Sequence, residues 1–414
     1  EASHSAMRER TRRVISERVA SLAPSGIRKF FDLIESMEGV IKLGVGEPDF
    51  APPWHVRETM IDSLSRGRTS YTSNAGLWEL RRLIADHLLS TYGVQYDPAK
   101  EILVTVGVSE GLDIALRCLL DAGEEAIVHE PCFVSYLPCI SLAGGQPVAV
   151  LTKQEDDFKL RPEALSGAIT PRSKVLLLNY PNNPTGATMS REELEPIAEV
   201  ARAHDLYVLS DEIYCALTYE GEHCCFASLP GMWERTVLLN GFSKSHAMTG
   251  LRIGYAAGPA EIIQAMTKVH SYVAMCAPVS AQIGAAEALR NGGQAVAQML
   301  REYDQRRRVF VAGLNRIGLP CFEPKGAFYA FPSVRASGMS SEQFSERLLV
   351  EQQVATVPGS VYGDCGEGYI RCCYANPIPV LKTALERMHT FVREHQVGGG
   401  RAASEAQAAS QRGG

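Results

Sequence analysis

The sequence lacks the features that mark several large classes of protein. No apolar run approaches the roughly 20 residues that a membrane-spanning helix needs. The formal net charge is only -6, without the excess of lysine and arginine that general nucleic-acid binding requires. A G-x-G-x-x-G fingerprint, a Walker loop and an H-E-x-x-H motif are all missing, so nucleotide-binding and metalloprotease functions lose their main support. We therefore expect no membrane partner, no nucleic-acid partner and no metal site.

Cysteine occurs 11 times but never at the spacing of a zinc site or a redox pair. The count is odd, and the sequence has two neighbouring pairs, Cys224-Cys225 and Cys372-Cys373. Free thiols in a reducing compartment fit this pattern best. The remaining composition, 45% hydrophobic and 21% charged, is that of a soluble globular protein. We expect a cytoplasmic protein.

The middle of the chain alternates between strand and helix patterns. Short apolar runs predict buried strands at 102–106, 126–128, 174–179, 206–209 and 236–239. Stretches with helical spacing lie between several of them, and such alternation is typical of an α/β fold with a mostly parallel sheet and helices on both faces. Beyond residue 296 short strands mix with helices, which indicates a smaller α+β domain.

A chain of 414 residues has room for one large domain and a smaller one. The predicted division has an arm at 1–25, a first part of the small domain at 26–50, a large domain at 51–295, a C-terminal small domain at 296–396 and a disordered tail at 397–414. Within the second segment, the residues from Gly26 to Phe31 are our candidate for a mobile cover over a substrate.

The stretch Asn240 to Tyr255, NGFSKSHAMTGLRIGY, carries the strongest chemical signal. It places Lys244 between small and hydroxyl residues, at the end of a predicted buried strand, with Arg252 eight positions later. A lysine that forms an imine needs a neutral amine, which burial and nearby positive charge both favour. Lys244 is therefore a candidate anchor for a covalent cofactor. Taken alone, the stretch would fit a solvated surface lysine at least as well.

Polar side chains also follow the neighbouring predicted strands, where open α/β sheets bind ligands. Asp211 could hold a positively charged ring nitrogen, although an isolated Ser-Asp-Glu is more often a helix cap. Tyr214, three residues later, could point a phenol into the same space. Asn183 lies in the loop NNPTG, which has turn chemistry throughout but a length and polarity that suggest function.

A helix start at Gly107-Val108-Ser109 offers free backbone amides and a hydroxyl, a ready site for a phosphate dianion. The signal is weak alone, because many helices begin with glycine and serine. Arg252, with Ser243 or Ser245, would complete a phosphate clamp.

Three further residues are candidates for ligand contacts. Phe133 could stack on a cofactor ring, although an aromatic residue after a strand is more often core. Arg371 stands inside an apolar strand and needs an anionic partner, either a substrate carboxylate or a structural Asp or Glu. Gly46 lies in a turn of two glycines and a proline that can line a pocket.

With NYPNNPTG, SDEIY and GFSKSHAMTGLRIGY in this order, the chain resembles the class I and II aminotransferases, pyridoxal-phosphate enzymes of fold type I. The resemblance runs from about Gly26 to His395 and is nearest to the aromatic, aspartate and N-acetyl-diaminopimelate aminotransferase branch. It implies a seven-stranded, mostly parallel sheet between helices, and a small domain built from both ends of the chain. It also implies a ping-pong reaction between an L-amino acid and a 2-oxo acid such as 2-oxoglutarate.

The resemblance also implies roles for single residues. Lys244 would bind the cofactor as a Schiff base and move the substrate proton, while Asp211 keeps the pyridine nitrogen protonated. The substrate would be bound by Arg371, Gly46 and Asn183. The other cofactor contacts would come from Tyr214, Asn183, Phe133, Val108, Ser109, Ser243 and Arg252. Tyr71 would reach the phosphate in a neighbouring subunit, so a homodimer with shared active sites is expected.

Two departures and two alternatives accompany the resemblance. Gly241 stands where many relatives have a serine, so one phosphate contact is absent or passes to Ser243, and no arginine for a distal carboxylate can be matched. A C-S β-lyase on the same fold shares the lysine, aspartate and arginine. A non-catalytic regulatory or binding homologue is the other alternative, and it would be expected to lose Lys244.

Overall fold

A computed structural model of the protein describes residues 14–23 and 37–395. The helices are α1 Glu17–Ala20, α2 Trp54–Ser65, α3 Trp78–Tyr92, α4 Gly107–Leu119, α5 Tyr136–Leu142, α6 Pro162–Ala168, α7 Arg191–Ala203, α8 Ala260–Val273, α9 Val279–Asn291, α10 Gly293–Arg316, α11 Ser341–Gln352 and α12 Ile378–His395. The strands are β1 Ile41–Lys42, β2 Ile102–Thr105, β3 Glu125–Glu130, β4 Gln146–Leu151, β5 Ser173–Leu178, β6 Tyr207–Asp211, β7 Thr236–Gly241, β8 Gly254–Ala257, β9 Tyr329–Ala330, β10 Val354–Ala355, β11 Val357–Pro358 and β12 Ile370–Cys373.

Seven strands form the central sheet in the order β2-β8-β7-β6-β5-β3-β4. The pairs from β7 to β4 are all parallel, whereas β8 runs antiparallel to both of its neighbours. This is the predicted mostly parallel sheet. Because β3, β5, β6 and β7 run in the same direction, the loops after them open at one edge of the sheet.

Helices cover both faces of this sheet because its buried strands are apolar on both sides. In β5, Leu176 and Leu178 pack into a cluster with helix α7, while Val175 and Leu177 point to the opposite face and pack with helix α4. Side chains that alternate between two apolar layers explain why the strand reads as a continuous hydrophobic run.

A smaller unit joins the two ends of the described chain. Strand β1 pairs in parallel with β10, and β11, β12 and β9 form an antiparallel sheet. Helices α10, α11 and α12 pack against them through side chains such as Phe310, Phe344 and Phe391. A smaller α+β part built from both ends therefore agrees with the expected fold class. The residue boundaries between the domains stay a prediction, and the candidate cover from Gly26 to Phe31 lies outside the described residues.

The local signals for helices were informative. The S-x-x-E pattern at Ser190 predicts a capping box, and Ser190 does cap α7, with the Glu193 carboxylate accepting from the Ser190 N–H. Ser340 caps α11 in the same way with Gln343. Strands β4, β10 and β11 and helices α5 and α6 were not predicted from the sequence. The apolar run from Ala327 to Phe331 predicts a strand that is too long, since only Tyr329–Ala330 is paired as β9.

All 11 cysteines lie within the described residues and are free thiols, as predicted. Within residues 14–23 and 37–395, we find no helix that combines the length and the apolar character required to cross a bilayer.

Candidate active site

A cavity of about 500 Å³ opens where the central strands end. Eleven of the twelve residues to which the resemblance gives a role line it, whereas Ser245, the alternative to Ser243, does not. They are Gly46, Val108, Ser109, Phe133, Asn183, Asp211, Tyr214, Ser243, Lys244, Arg252 and Arg371. The twelfth, Tyr71, is 81% exposed and lies outside the cavity of its own chain. The ends of the strands thus collect in one place residues that are up to about 325 positions apart in the sequence, from Gly46 to Arg371.

Lys244 follows β7 and extends into the cavity. Its Nζ donates a hydrogen bond of 2.6 Å to the carbonyl oxygen of Gly46. The same Nζ lies 5.8 Å from the ring centroid of Tyr214 and 5.7 Å from that of Phe328. Aromatic faces attract a cation, but they replace only part of the water that the ammonium group loses on burial.

Burial is the main reason that the pKa of Lys244 falls from 10.5 to about 8. Among the ionisable neighbours, Cys373 and Glu47 raise the pKa of Lys244, whereas Arg371 and Arg252 lower it. The expected effect of Arg252 is therefore present, but it is smaller than that of burial and of Arg371. The result is an amine that loses its proton close to neutral pH.

Asp211 is a buried carboxylate that accepts two hydrogen bonds. Its Oδ2 accepts a hydrogen bond of 2.6 Å from the Tyr136 hydroxyl, and its Oδ1 accepts one of 3.2 Å from the backbone N–H of Ile213. Burial raises the pKa of Asp211 to about 6, although both hydrogen bonds act in the opposite direction. The helix-cap alternative is wrong, because a turn and not an α-helix follows Asp211. A cation bound beside it would restore full ionisation.

Arg371 is a buried cation with neutral partners. Its Nη1 donates a hydrogen bond of 2.9 Å to Oδ1 of Asn183, and its Nη2 donates one of 2.7 Å to the carbonyl oxygen of Gly44. Its guanidinium carbon lies 4.4 Å from the ring centroid of Tyr329 and 5.1 Å from that of Tyr362. Nε makes no hydrogen bond within the described part of the chain, and no described carboxylate forms an ion pair with Arg371. Of the two anionic partners that the sequence left open for Arg371, the structural Asp or Glu is therefore not found in the described part of the chain.

The start of helix α4 forms another end of the cavity. Gly107 has a φ of +72°, and a Cβ at this position would lie only 2.6 Å from Nη2 of Arg252. The first amides of a helix have no carbonyl partner within it, so Val108 and Ser109 present free N–H groups here. Backbone amides, a hydroxyl and a guanidinium at one helix start suit a phosphate dianion.

The structure gives a physical reason for the glycine at position 241. A Cβ on Gly241 would lie 2.9 Å from Cα of Gly254, because the antiparallel strands β7 and β8 approach closely there. A serine at 241 would force these strands apart. Ser243, two residues later, does line the cavity.

The motif GVSEG at 107–111 has the G-x-S-x-G spacing of a hydrolase nucleophile. The nearby buried His270 bonds Glu110 and not Ser109, with Nδ1 2.6 Å from Oε1. Within the described ranges no histidine is hydrogen-bonded to Ser109, so the base of a hydrolytic triad is missing.

Sequence reasoning missed four groups in the site. Tyr136 bonds Asp211, Asn179 donates to the Asp211 carbonyl oxygen over 3.0 Å, Tyr329 contacts Tyr214, and the Gly44 carbonyl receives Arg371. Two weak signals existed. Tyr136 follows Phe133 by three residues, and Tyr329 lies in a short aromatic stretch after a glycine. Neither signal shows which distant residue would be the partner.

Comparison with known proteins agrees with this geometry. The family description Aminotransferase class I and II matches residues 38–388. The Thermococcus litoralis aromatic-amino-acid aminotransferase 2 is 43% identical, over 92% of this chain and 99% of its own. Among solved structures, the aromatic aminotransferase of Pyrococcus horikoshii is 44% identical with a TM-score of 0.85, covering 88% of this chain and 99% of its own. The aspartate aminotransferase of Thermus thermophilus with maleate is 39% identical with a TM-score of 0.87, covering 91% and 99%.

The chain belongs to the class I and II aminotransferases. Its activity is the pyridoxal-phosphate-dependent transfer of amino groups, EC 2.6.1.-. The comparisons do not favour the β-lyase or the regulatory alternative over this activity.

Proposed function

We propose that the cavity around Lys244 transfers the amino group of an L-amino acid to a 2-oxo acid such as 2-oxoglutarate. The observation that carries this proposal is one arrangement of three side chains. Lys244, with its pKa near 8, lines the same cavity as the buried carboxylate of Asp211 and the cation of Arg371, which has no described anionic partner. An aldehyde would bind the Lys244 amine, a protonated ring nitrogen would bind Asp211, and a substrate carboxylate would bind Arg371. A phosphorylated pyridine aldehyde and an amino acid together supply all three groups.

The residues present fit pyridoxal phosphate. The amides of Val108 and Ser109, the Ser109 and Ser243 hydroxyls and Arg252 would hold the phosphate, and Gly107 leaves the space that a Cβ would fill. Asp211 would hold the protonated ring nitrogen, Tyr214 and Asn183 the ring oxygen, and Phe133 one ring face. When bound, the cofactor supplies an aldehyde and a ring that accepts electrons.

Lys244 is the group that would move a proton at the substrate Cα. At pH 7.5 a pKa of about 8 leaves roughly a quarter of the amines neutral, against about 0.1% for an unperturbed lysine. The carbonyl of Gly46 accepts from Nζ and fixes the position of the amine. General base catalysis is most effective when the pKa lies near the working pH, and burial has produced that condition here.

Arg371 would bind the substrate carboxylate. A buried guanidinium gains most from a bidentate carboxylate, and its Nε is still available. Because Asn183 and Gly44 already orient the planar group, the carboxylate would enter a preformed site. Gly46 and Asn183, which line the same cavity, would complete the substrate contacts.

We propose a homodimer with shared active sites as the functional unit. Ser109 and Arg252 are exposed in the single chain, so the phosphate end of the cavity is open. Tyr71 is 81% exposed, and its loop is held by a hydrogen bond of 2.7 Å from Asn74 to the carbonyl of Met275. The adjacent surface exposes Tyr272 at 86%, together with Val273 and Met275. An apolar patch of this kind favours contact with a second subunit, whose own Tyr71 could close the open end.

Mixed dimers test the sharing of sites. Lys244→Ala and Tyr71→Ala are each expected to be poorly active alone. In a hybrid of the two, the site that keeps Lys244 would receive Tyr71 from the other subunit, so mixing after mild dissociation should restore up to about half of the activity per hybrid. Mixtures that stay as inactive as their components would contradict the shared site.

We further propose that the donor is an aromatic amino acid, aspartate or a broad set of amino acids, and that the protein is cytoplasmic. Relatives named for both kinds of donor support the first proposal. The eleven free thiols support the second. The test is a product analysis with L-phenylalanine, L-tyrosine and L-aspartate, each with 2-oxoglutarate, and with L-glutamate and oxaloacetate. The 2-oxo acid of the donor and the amino acid of the acceptor should form in equal amounts. Pyruvate and thiol released from an S-conjugate of cysteine, without any transfer, would contradict the proposal.

A further inference from the structure

Tyr329 lies where three groups of the proposed site meet. Its hydroxyl oxygen is 2.7 Å from that of Tyr214, and its ring lies 4.4 Å below the guanidinium carbon of Arg371. A Cβ added to Gly46 would come within 2.4 Å of the same hydroxyl, so the Gly46 turn closes directly over it. Tyr329 is only 1% exposed, although it lines the cavity.

The position of Tyr329 is fixed by two different parts of the fold. It belongs to β9, where it pairs with Cys373 of β12, the strand that also carries Arg371. Its ring makes edge contacts with Phe328 at 4.9 Å and with Tyr214 at 5.7 Å between centroids. A ring held in this way has little freedom to rotate, because buried aromatic packing is close to crystal density. Tyr329 therefore links the small sheet to the loop after β6.

The contact between the two hydroxyls controls where the Tyr214 hydrogen points. A phenol has one hydrogen to donate, and two phenols in contact share one hydrogen bond. If Tyr214 donates to Tyr329, it has nothing left for a ligand. If Tyr329 donates to Tyr214, the Tyr214 hydrogen is free to point into the cavity at a ring oxygen. Binding of an anionic oxygen beside Tyr214 would select the second arrangement, since Tyr329 can supply the missing hydrogen.

The ring of Tyr329 acts on Arg371 in a second way. Tyr329 and Tyr362 both present ring faces to the guanidinium, at 4.4 Å and 5.1 Å. Cation–π contact orients a guanidinium without using any of its N–H donors. The N–H groups that are not bonded to Asn183 and Gly44 therefore stay available for a carboxylate. Hydrogen bonds to a further side chain would have occupied them.

We propose that Tyr329 is a positioning residue that sets the Tyr214 hydrogen with its hydroxyl and the Arg371 plane with its ring. The inference rests on the proposed function of the cavity. It assigns the two parts of one side chain to two separate steps: the hydroxyl to the conversion of bound substrate, and the ring to the binding of the substrate carboxylate.

Two substitutions separate these parts. Tyr329→Phe removes the hydroxyl and keeps the ring, whereas Tyr329→Leu removes both. Tyr303→Phe is the matched control, because Tyr303 is buried in the same core and its hydroxyl has no described hydrogen-bond partner. Each variant is purified with its cofactor, checked by thermal unfolding, and mixed in single turnovers with the amino acids that convert the wild type. The readouts are the apparent dissociation constant, the limiting rate and the pH at which the visible band titrates.

Tyr329→Phe is expected to lower the limiting rate about tenfold, to change the dissociation constant less than threefold, and to shift the titration of the band by about half a pH unit. Tyr329→Leu should in addition weaken substrate binding at least tenfold. The inference is overturned if Tyr329→Phe behaves like Tyr303→Phe, or if the leucine variant binds as tightly as the phenylalanine variant. Should the leucine variant not fold, the isosteric Tyr329→Phe decides alone. A wild type that neither shows a visible band nor converts any amino acid would instead refute the proposed function.

Discussion

Replacing Lys244 by methionine is expected to stabilise the cofactor-free protein, because burying the charged amine costs free energy. Burial lowers the pKa of Lys244 from 10.5 to about 8. At roughly 1.4 kcal/mol per pH unit, this difference corresponds to about 3 kcal/mol of destabilisation while the lysine is charged in both states. Methionine keeps the buried stem but loses the hydrogen bond to Gly46, worth about 1 kcal/mol. The expected net gain at pH 7 is therefore about 2 kcal/mol.

The pH dependence of this gain has a definite sign. A lysine with a lowered folded pKa destabilises fully below about pH 8, and the penalty disappears as the unfolded lysine also loses its proton near 10.5. The advantage of Lys244→Met should therefore be largest at pH 7 and should vanish between about pH 8 and 10.5.

The assay is urea unfolding of both cofactor-free proteins at pH 7 and pH 10, with Lys100→Met as a control at an exposed lysine. Cofactor must be removed, because binding through Lys244 would stabilise the wild type more than the variant. The control should change stability by less than about 0.5 kcal/mol. A Lys244→Met protein that is no more stable than the wild type at pH 7, or whose advantage grows towards pH 10, would refute the reasoning.

Three further substitutions have defined outcomes. Asp211→Asn should lower the limiting rate at least about 100-fold. It should also stabilise the cofactor-free protein by on the order of 2 kcal/mol above pH 6 but not near pH 4, because burial raises the pKa of Asp211 to about 6. Unfolding at both pH values checks the sign of this effect. Arg371→Lys should raise KM for the amino acid about 100-fold with a smaller loss in kcat, since the bidentate geometry is lost; an unchanged KM in steady-state kinetics would contradict the assignment. Gly107→Ala should weaken pyridoxal phosphate binding at least tenfold in equilibrium dialysis, because its Cβ would strike Arg252 at a φ of +72°; wild-type affinity would argue against phosphate binding at this helix start.

Local signals in the sequence were enough to predict which edge of the sheet carries the cavity. Asp211 and Lys244 each follow a short apolar run, and such runs form the buried parallel strands β6 and β7. Because parallel strands share a direction, polar residues just past them meet without any knowledge of contacts. The motif resemblance then added the cofactor and the individual roles, which spacing alone could not supply.

The contacts that tune these residues could not be predicted in this way. Tyr136 reaches Asp211 across 75 positions, and Tyr329 reaches Tyr214 across 115. No periodic pattern encodes such pairs, since tertiary packing alone brings them together. The strand β4 was missed for a different reason. It begins Gln146-Pro147 and is largely solvent-accessible at the edge of the sheet, so it lacks the continuous apolar run of a central strand.

The short strands of the small unit show the same limit. Strands β10 and β11 have two residues each and are separated by one residue, Thr356. A two-residue strand has no period to detect. Strand β10 pairs with Ile41, more than 300 positions away, and β11 pairs with Arg371, 14 positions away. The division of the small domain between both ends of the chain therefore came from the family resemblance.

The visible absorption spectrum tests the central claim most directly. Wild type and Lys244→Ala are compared after addition of pyridoxal phosphate, before and after mixing with L-phenylalanine, L-tyrosine, L-aspartate and L-glutamate. We predict that the wild type shows the band of the lysine-bound cofactor, that at least one of these amino acids converts it to the pyridoxamine form, and that the variant does neither unaided. A wild type without this band, or a variant that converts amino acids at the wild-type rate, would contradict the account.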